Sequence, residues 1–180
     1  MHILLAYNLI GSLLSLPKKE LVEAWRRTWL RIVDPEGHAW AIHGADQGHT
    51  EGGFPLDHPV HVLTSWNPAS TQIPDSENQD RHRELIAEVT TKNLSIWEGT
   101  GVAGNGEWAE SGVALTGLPL EEVIEWAKRW QQDAIWEWHP NGLAVVECLT
   151  GQRHEWGWIR TALPSRSPFE DPEGIFSDHE

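Results

Sequence analysis

Residues 60–70, Val60-His61-Val62-Leu63-Thr64-Ser65-Trp66-Asn67-Pro68-Ala69-Ser70, read as a strand that runs into a turn. Val60, Val62 and Thr64 alternate with His61 and Leu63, which is the period of a strand and uses β-rich residues. Asn67-Pro68 then ends it, because proline lacks a ladder donor and asparagine favours turns. The order of elements after this strand decides the fold. Ser76-x-x-Gln79 matches a capping box and opens a helix that runs to about Lys92. Residues 94–98 read as a strand, 99–106 as a glycine-rich connection and 107–116 as a strand. Pro119 stands at the next helix start. Glu121 and Glu122 suit its positive end, Lys128 and Arg129 its negative end, and Leu120, Val123, Ile124, Ala127 and Trp130 form its apolar face. Residues 134–138 are a strand, Pro140-Asn141-Gly142 a hairpin turn, 143–149 the return strand, and 155–160 one strand more. The order β-α-β-β-α-β predicts an α+β fold: a ferredoxin-like split βαβ sandwich with an antiparallel sheet, an N-terminal helical element and an extra C-terminal hairpin.

Outward from that centre the pattern weakens. Pro17-Lys18-Lys19-Glu20 opens a helical segment expected to end near Arg31, with Leu21, Trp25, Trp29 and Ile32 as its stripe. Asp34-Pro35-Glu36-Gly37 is a turn signal, 38–42 a short strand, and 44–57 a long loop rich in Gly, His and acids. Residues 1–16 are apolar but shorter than a membrane span, and Lys18 and Lys19 follow the run rather than precede it, so they read as a helix or strand packed on the domain. Residues 163–180 carry three prolines and many charges with little periodic pattern, the composition of an extended or disordered tail. The expected organisation is an N-terminal extension over 1–57 packed on the core, a core domain over 58–162, and the tail.

The 180 residues carry a formal net charge of -14 and twelve tryptophans. Phosphate binding needs clustered Lys and Arg, so the acidity and the lack of a basic stripe argue against a nucleic-acid partner. A membrane partner has no segment to support it. The lone Cys148 excludes a disulfide framework or thiolate metal cluster and suits a reducing cytoplasm. Most tryptophans belong in a core, with a few left for a pocket or a homodimer surface.

In a sheet of that order, three polar clusters meet at one end. Asn67 and Ser70 leave the first strand there, Glu110 and Ser111 start the third strand nearby beside Trp108, and Gln132 comes after the second helix. Asn78 and His82 continue the helical stripe of Leu85 and Val89, with Arg81 beside them. Asn67, Ser70, Asn78 and Gln132 are candidates for orienting a ligand, Arg81 for taking an anionic group by bidentate geometry, and Glu110 for an acid or base. Each also has a structural reading: a strand-exit turn at Asn67, a helix C-cap at Gln132, an Arg81–Glu110 ion pair. Ser70 and Ser111 have no sequence-local base and no nucleophile elbow. The glycines Gly99, Gly101, Gly104 and Gly106 lead into a strand, so they are not a dinucleotide fingerprint. His38, His43, His49, His58 and His61 crowd a region with Asp46, Glu51 and Asp57, yet no helical His pair exists, so no metal site is assigned.

Thr64-Ser65-Trp66-Asn67-Pro68-x-Ser70, Asn78 with Arg81, Trp108-x-Glu110-x-Gly112 and Gln132-x-Ala134 resemble the bacterial DUF3293 family, a domain of unknown function. The resemblance spans roughly 59–146 and implies a shared polar site. It brings no activity, cofactor or catalytic assignment. The expectation is a cytoplasmic domain that binds a small polar or anionic metabolite at one sheet end, with Glu110 as acid or base. The alternative is a protein–protein or homodimerisation module with a Trp-rich, acidic surface.

Overall fold

Trp29-Leu30-Arg31-Ile32-Val33 is a strand, β1, and not the end of a helix. A computed structural model describes residues 18–92, 94–104 and 108–165. The first helix, α1, is Lys18–Arg26. After β1 (Trp29–Val33) come β2 (Ala39–Ala45), β3 (Thr50–Glu51) and β4 (Val60–Thr64), a 3-10 turn at Pro68–Ser70, α2 (Asp75–Thr91), β5 (Ile96–Val102), β6 (Ala109–Thr116), α3 (Leu120–Arg129), β7 (Ala134–His139), β8 (Gly142–Glu147) and β9 (Arg153–Leu163). The expected segment at 1–16 and most of the tail lie outside the described residues.

The ferredoxin-like open sandwich does not hold. The strands run β2-β1-β5-β6-β4-β7-β8-β9, and β9 pairs back onto β2, so eight antiparallel strands close into a barrel with three helices among the described residues. The short β3 lies parallel on β9. The reason for the difference lies at the two edges. In the open fold β5 and β7 would be edges, but β1 pairs along β5 from Val33↔Glu98 to Trp29↔Val102, and β8 pairs along β7. Closure removes both unpaired edges. Each rung joins residues far apart in the chain, so no short window of sequence announces it.

One strand completes the ring by changing partner. Arg153 to Trp156 pair with β8, and from Gly157 onward β9 pairs with β2. Gly157 permits this because the carbonyls of His49 and Asp46 occupy the space where its Cβ would stand. Trp158 N–H donates to His49 O at 2.9 Å beside it.

Alternation sorts the wall into two faces. Val62 pairs with Ala114 and Trp136, Ala114 with Trp97, and Trp138 with Leu143. With Leu30, Ile32, Ile42, Val60 and Trp158 they fill the bore. The other face buries Leu63, Val113, Leu115, Ile135 and Val146 under Leu85 and Val89 of α2 and Val123, Trp126 and Ala127 of α3. Of the twelve tryptophans only Trp29, at 40 % exposure, is exposed. No helix among the described residues is long and apolar enough to cross a membrane.

Local details differ from the sequence-based expectation as well. Pro74, not Ser76, sits at the N-cap of α2, with no side-chain cap. Gly99 and Gly101 lie inside β5 rather than in a connection.

Candidate functional site

At one mouth of the barrel β2, β4, β5 and β8 end while β1, β6, β7 and β9 begin. The loop after β4 leaves there and α3 returns there. α1 approaches the same mouth: the Trp25 ring lies 5.5 Å from that of His154, near the start of β9.

The loop after β4 is strained. Asn67, Ala69 and Ser70 all take left-handed backbone, with φ of 47°, 50° and 55°. This region disfavours residues with a Cβ and is tolerated best by Asn after Gly. Surrounding bonds hold it. Asn67 N–H donates to Asn78 Oδ1 at 2.8 Å, and Asn78 Nδ2 donates back to Asn67 Oδ1 at 3.0 Å. Ala69 N–H donates to Gln131 O at 2.6 Å, and the Ser70 hydroxyl donates to the Asp133 carboxylate. Asn78 is fully buried on α2, in line with Leu85 and Val89, as its spacing predicted.

The end of α3 supplies the other wall of this loop. Gln131 N–H bonds Lys128 O and Gln132 N–H bonds Ala127 O, the paired bonds of a Schellman cap, with Gln131 left-handed at φ 58°. The Gln132 side chain donates to Trp66 O at 2.9 Å and to Trp130 O at 3.3 Å. Arg81 donates from Nε to Ser65 O at 2.7 Å and from Nη2 to Trp130 O at 2.9 Å, with its guanidinium 5.4 Å from the Trp130 ring centre. The guanidinium therefore ties β4 to α3, and the Arg81–Glu110 ion pair is not among the described contacts. Next to it, burial lowers His82 to a pKa of about 4, which leaves it neutral at neutral pH.

Glu110 faces the bore. It shares a strand face with Gly112 and Ala114, and Ala114 belongs to the bore cluster. Asn67 Nδ2 donates to Glu110 Oε1 at 2.7 Å. Burial raises the carboxyl above its usual pKa, against the smaller lowering effect of the Asn67 bond. The residue is nonetheless partly exposed, and neither carboxyl oxygen is among the buried side-chain atoms that lack a partner. Its direct partner across the sheet is Gly101, where, among the described residues, an added Cβ would come nearest to Thr28 Cγ2 and Trp108 Cζ3, both at 3.9 Å. A Cβ there would sit in ordinary contact with both, so glycine leaves about a methyl's width beside the carboxyl.

The eight residues predicted from sequence divide as follows. Asn67, Asn78 and Glu110 form one hydrogen-bonded chain; Arg81 and Gln132 bracket the same loop through backbone carbonyls; Ser70 joins Asp133; Trp108 stands beside Gly101. Ser111, adjacent to Glu110 on the strand, turns to the opposite face, and its carbonyl accepts from Thr64 Oγ1 at 2.7 Å.

All eight fall inside the stretch matched by a known family. Residues 63–135 match the DUF3293 family model, a protein of unknown function. The DUF3293 match starts within β4, takes in both outer helices and ends as β7 begins, so β1, β2, β8 and β9 lie outside it. Searches of the curated proteins and of the solved structures found no match.

Asp133 and the Gln131 carbonyl, on either side of Gln132 at the same sheet end, brace the strained loop. Sequence reasoning missed two groups. Glu147 and His154, seven residues apart across the turn between β8 and β9, pair at 2.8 Å on the bore side. Asp34, Glu36 and His38 bring one ligand atom each within 4.8 Å of one another, but Asp34 already bonds the His38 N–H and its ring, both at 2.8 Å. The other crowded histidines go separate ways: His43 stacks on Trp29, His49 stands 3.5 Å from Glu51, and His61 stands 3.6 Å from Glu137.

Proposed function

We propose that this barrel mouth binds a small polar metabolite, with Glu110 as the group that meets it. One observation carries the reading. A partly exposed carboxyl held by Asn67 sits on the bore face, paired across the sheet with a glycine that sets no side chain of its own against it. A carboxylic acid whose pKa is raised by enclosure donates a hydrogen bond and serves as general acid or base closer to neutral pH. The strained loop supports the same reading, because left-handed non-glycine residues cluster where a site must be held in one geometry. Arg81, Gln132 and Asn78 then act as builders of the loop rather than as ligand contacts. The ligand is neutral or weakly anionic and carries a hydrogen-bond acceptor. The buried Cys148, pushed up to about 11, is a poor thiolate and suits a cytoplasmic protein that does not use it.

The test is thermal stability of the full chain against a panel of hydroxy acids, amides, sugars and nucleosides. A compound that binds the native state raises its apparent stability. The expected result is a stabilising compound whose effect disappears both in Glu110→Gln and in Gly101→Val, the second setting a branched side chain against the carboxyl. A compound that stabilises wild type and both variants equally would place binding elsewhere and end this reading.

A further inference from the structure

A second pair of titratable groups faces the same mouth, on strands outside the DUF3293 match. Val62 pairs with Trp136, Trp136 with Val145, and Val145 with His154, so one rung of the bore face crosses four strands and ends on an imidazole. Glu147 lies two residues beyond Val145 on the same strand and so shares its face. His154 Nε2 and Glu147 Oε1 are 2.8 Å apart. Thr150 Oγ1 donates to Glu147 Oε2 at 2.6 Å, so both carboxylate oxygens are engaged. The two side chains are only 11 % and 17 % exposed, whereas the His38 side chain of the comparably close His38–Asp34 pair is 63 % exposed.

In a neutral imidazole, a carboxylate on Nε2 selects the tautomer with hydrogen there and leaves the Nδ1 lone pair as the ring's acceptor. Among the described residues no group hydrogen-bonds Nδ1, and it is not among the buried side-chain atoms sealed without a partner. Trp25 of α1 packs on the ring. We infer that His154, oriented by Glu147, is a second ligand-contacting group of this mouth, a proton acceptor for a small molecule whose other end meets Glu110. The inference rests on the proposed function and narrows it. The ligand carries an O–H or N–H donor for His154 and, apart from it, a carbonyl-type acceptor for the acid of Glu110, as hydroxy acids and amides do. Glu147 is a positioning residue: it acts on the ligand only through the imidazole.

Diethyl pyrocarbonate, which modifies reachable unprotonated imidazoles, tests this on the full chain at neutral pH with peptide mass mapping. His154 is expected to be modified along with the exposed His38, His49 and His58. Modification of those three with His154 left untouched overturns the inference. Two-bond 1H–15N spectra of the ring supply the second arm. They should show hydrogen on Nε2 in the native protein and a mixed tautomer in Glu147→Gln; an unchanged tautomer removes the positioning role. The compound that stabilises wild type in the thermal panel should bind His154→Gln at least tenfold more weakly. If Glu110→Gln abolishes its binding while His154→Gln does not, the proposed function stands and this inference fails.

Discussion

Asn67, the residue at which β4 gives way to its turn, donates through Nδ2 to Glu110 Oε1 at 2.7 Å across 43 positions of sequence. The bond joins a left-handed, strained segment of the backbone to a carboxyl whose pKa burial pushes upward. Asn67 serves twice, since its N–H and Oδ1 also engage Asn78.

Replacing Asn67 with glycine relieves the left-handed backbone but removes the amide. Asn78 and Glu110 then lose a partner while remaining enclosed, which costs about 1–3 kcal/mol. The Glu110 pKa should rise further, because the Asn67 bond is what opposes burial. Urea denaturation gives the first quantity and a carbon-13 titration of the carboxyl the second. A fall in that pKa would show that the bond does not favour the charged form.

Glu110 itself should make stability depend on pH. Its folded pKa lies above its usual 4.5, so below 4.5 both states hold the proton and nothing is lost. As pH rises from there toward the folded pKa, only the folded state holds it, and stability declines. Glu110→Gln keeps an acceptor for Asn67 without this penalty. Its stability relative to wild type should therefore improve as pH rises above 4.5 and level off only once pH has passed the folded pKa. A difference that stays flat across that window contradicts the upward shift.

Arg81 should behave as structure. Its two bonds end on the carbonyls of Ser65 and Trp130, which in Arg81→Ala would remain enclosed without that donor. The expected loss is about 2–4 kcal/mol, and Arg81→Lys recovers only part of it because an ammonium cannot reproduce the fork. Chemical denaturation of the three proteins decides it; a neutral Arg81→Ala would free this residue for a ligand role after all.

Such contacts explain why the site was partly legible in sequence. Side chains that meet side chains, as Asn67, Asn78 and Glu110 do, leave a spaced pattern of residue types. Arg81, Gln132 and Thr64 bond to backbone carbonyls, which every residue carries and no sequence marks. The apolar face of α3 and the alternation of β4 were readable because each follows one local period. Trp29 was not, because it stands four residues beyond Trp25 and extends that helical stripe while Leu30 and Ile32 already alternate as a strand. Ring closure depends on β9 changing partners, a pairing with no local signature.

On the outer wall Glu137 works in the opposite sense to Glu110. Its pKa is lowered to about 2, first by His61 and then by Arg153, with burial opposing both. His61 Nε2 is 3.6 Å away, too long for a formed hydrogen bond, whereas Arg153 makes a direct bond. Stability from this carboxylate is complete above 4.5 and disappears as pH falls toward 2. Glu137→Gln should cost about 2–3 kcal/mol at neutral pH, the scale of such a shift, and the gap should close in acid. A gap that persists at pH ~2 assigns the loss to packing rather than charge.

Barrel closure can be tested at one atom. A methyl group in Gly157→Ala would overlap the carbonyl oxygens of His49 and Asp46. Those are backbone atoms of the segment that crosses β9, so no rotamer relieves the clash. Relief requires moving the segment, which breaks the bond from Trp158 N–H to His49 O and disturbs the point where β9 passes from β8 to β2. The expected loss is about 2–3 kcal/mol, the scale of overpacking a tight site. Gly117→Ala is the control. Gly117 has φ of 77° but nothing within 4 Å of an added Cβ, so it reports only backbone strain of about 1 kcal/mol. Hydrogen exchange at the Trp158 amide should accelerate in Gly157→Ala well beyond the control. Equal losses and equal exchange in the two variants would mean that the close approach at Gly157 does not hold the ring shut.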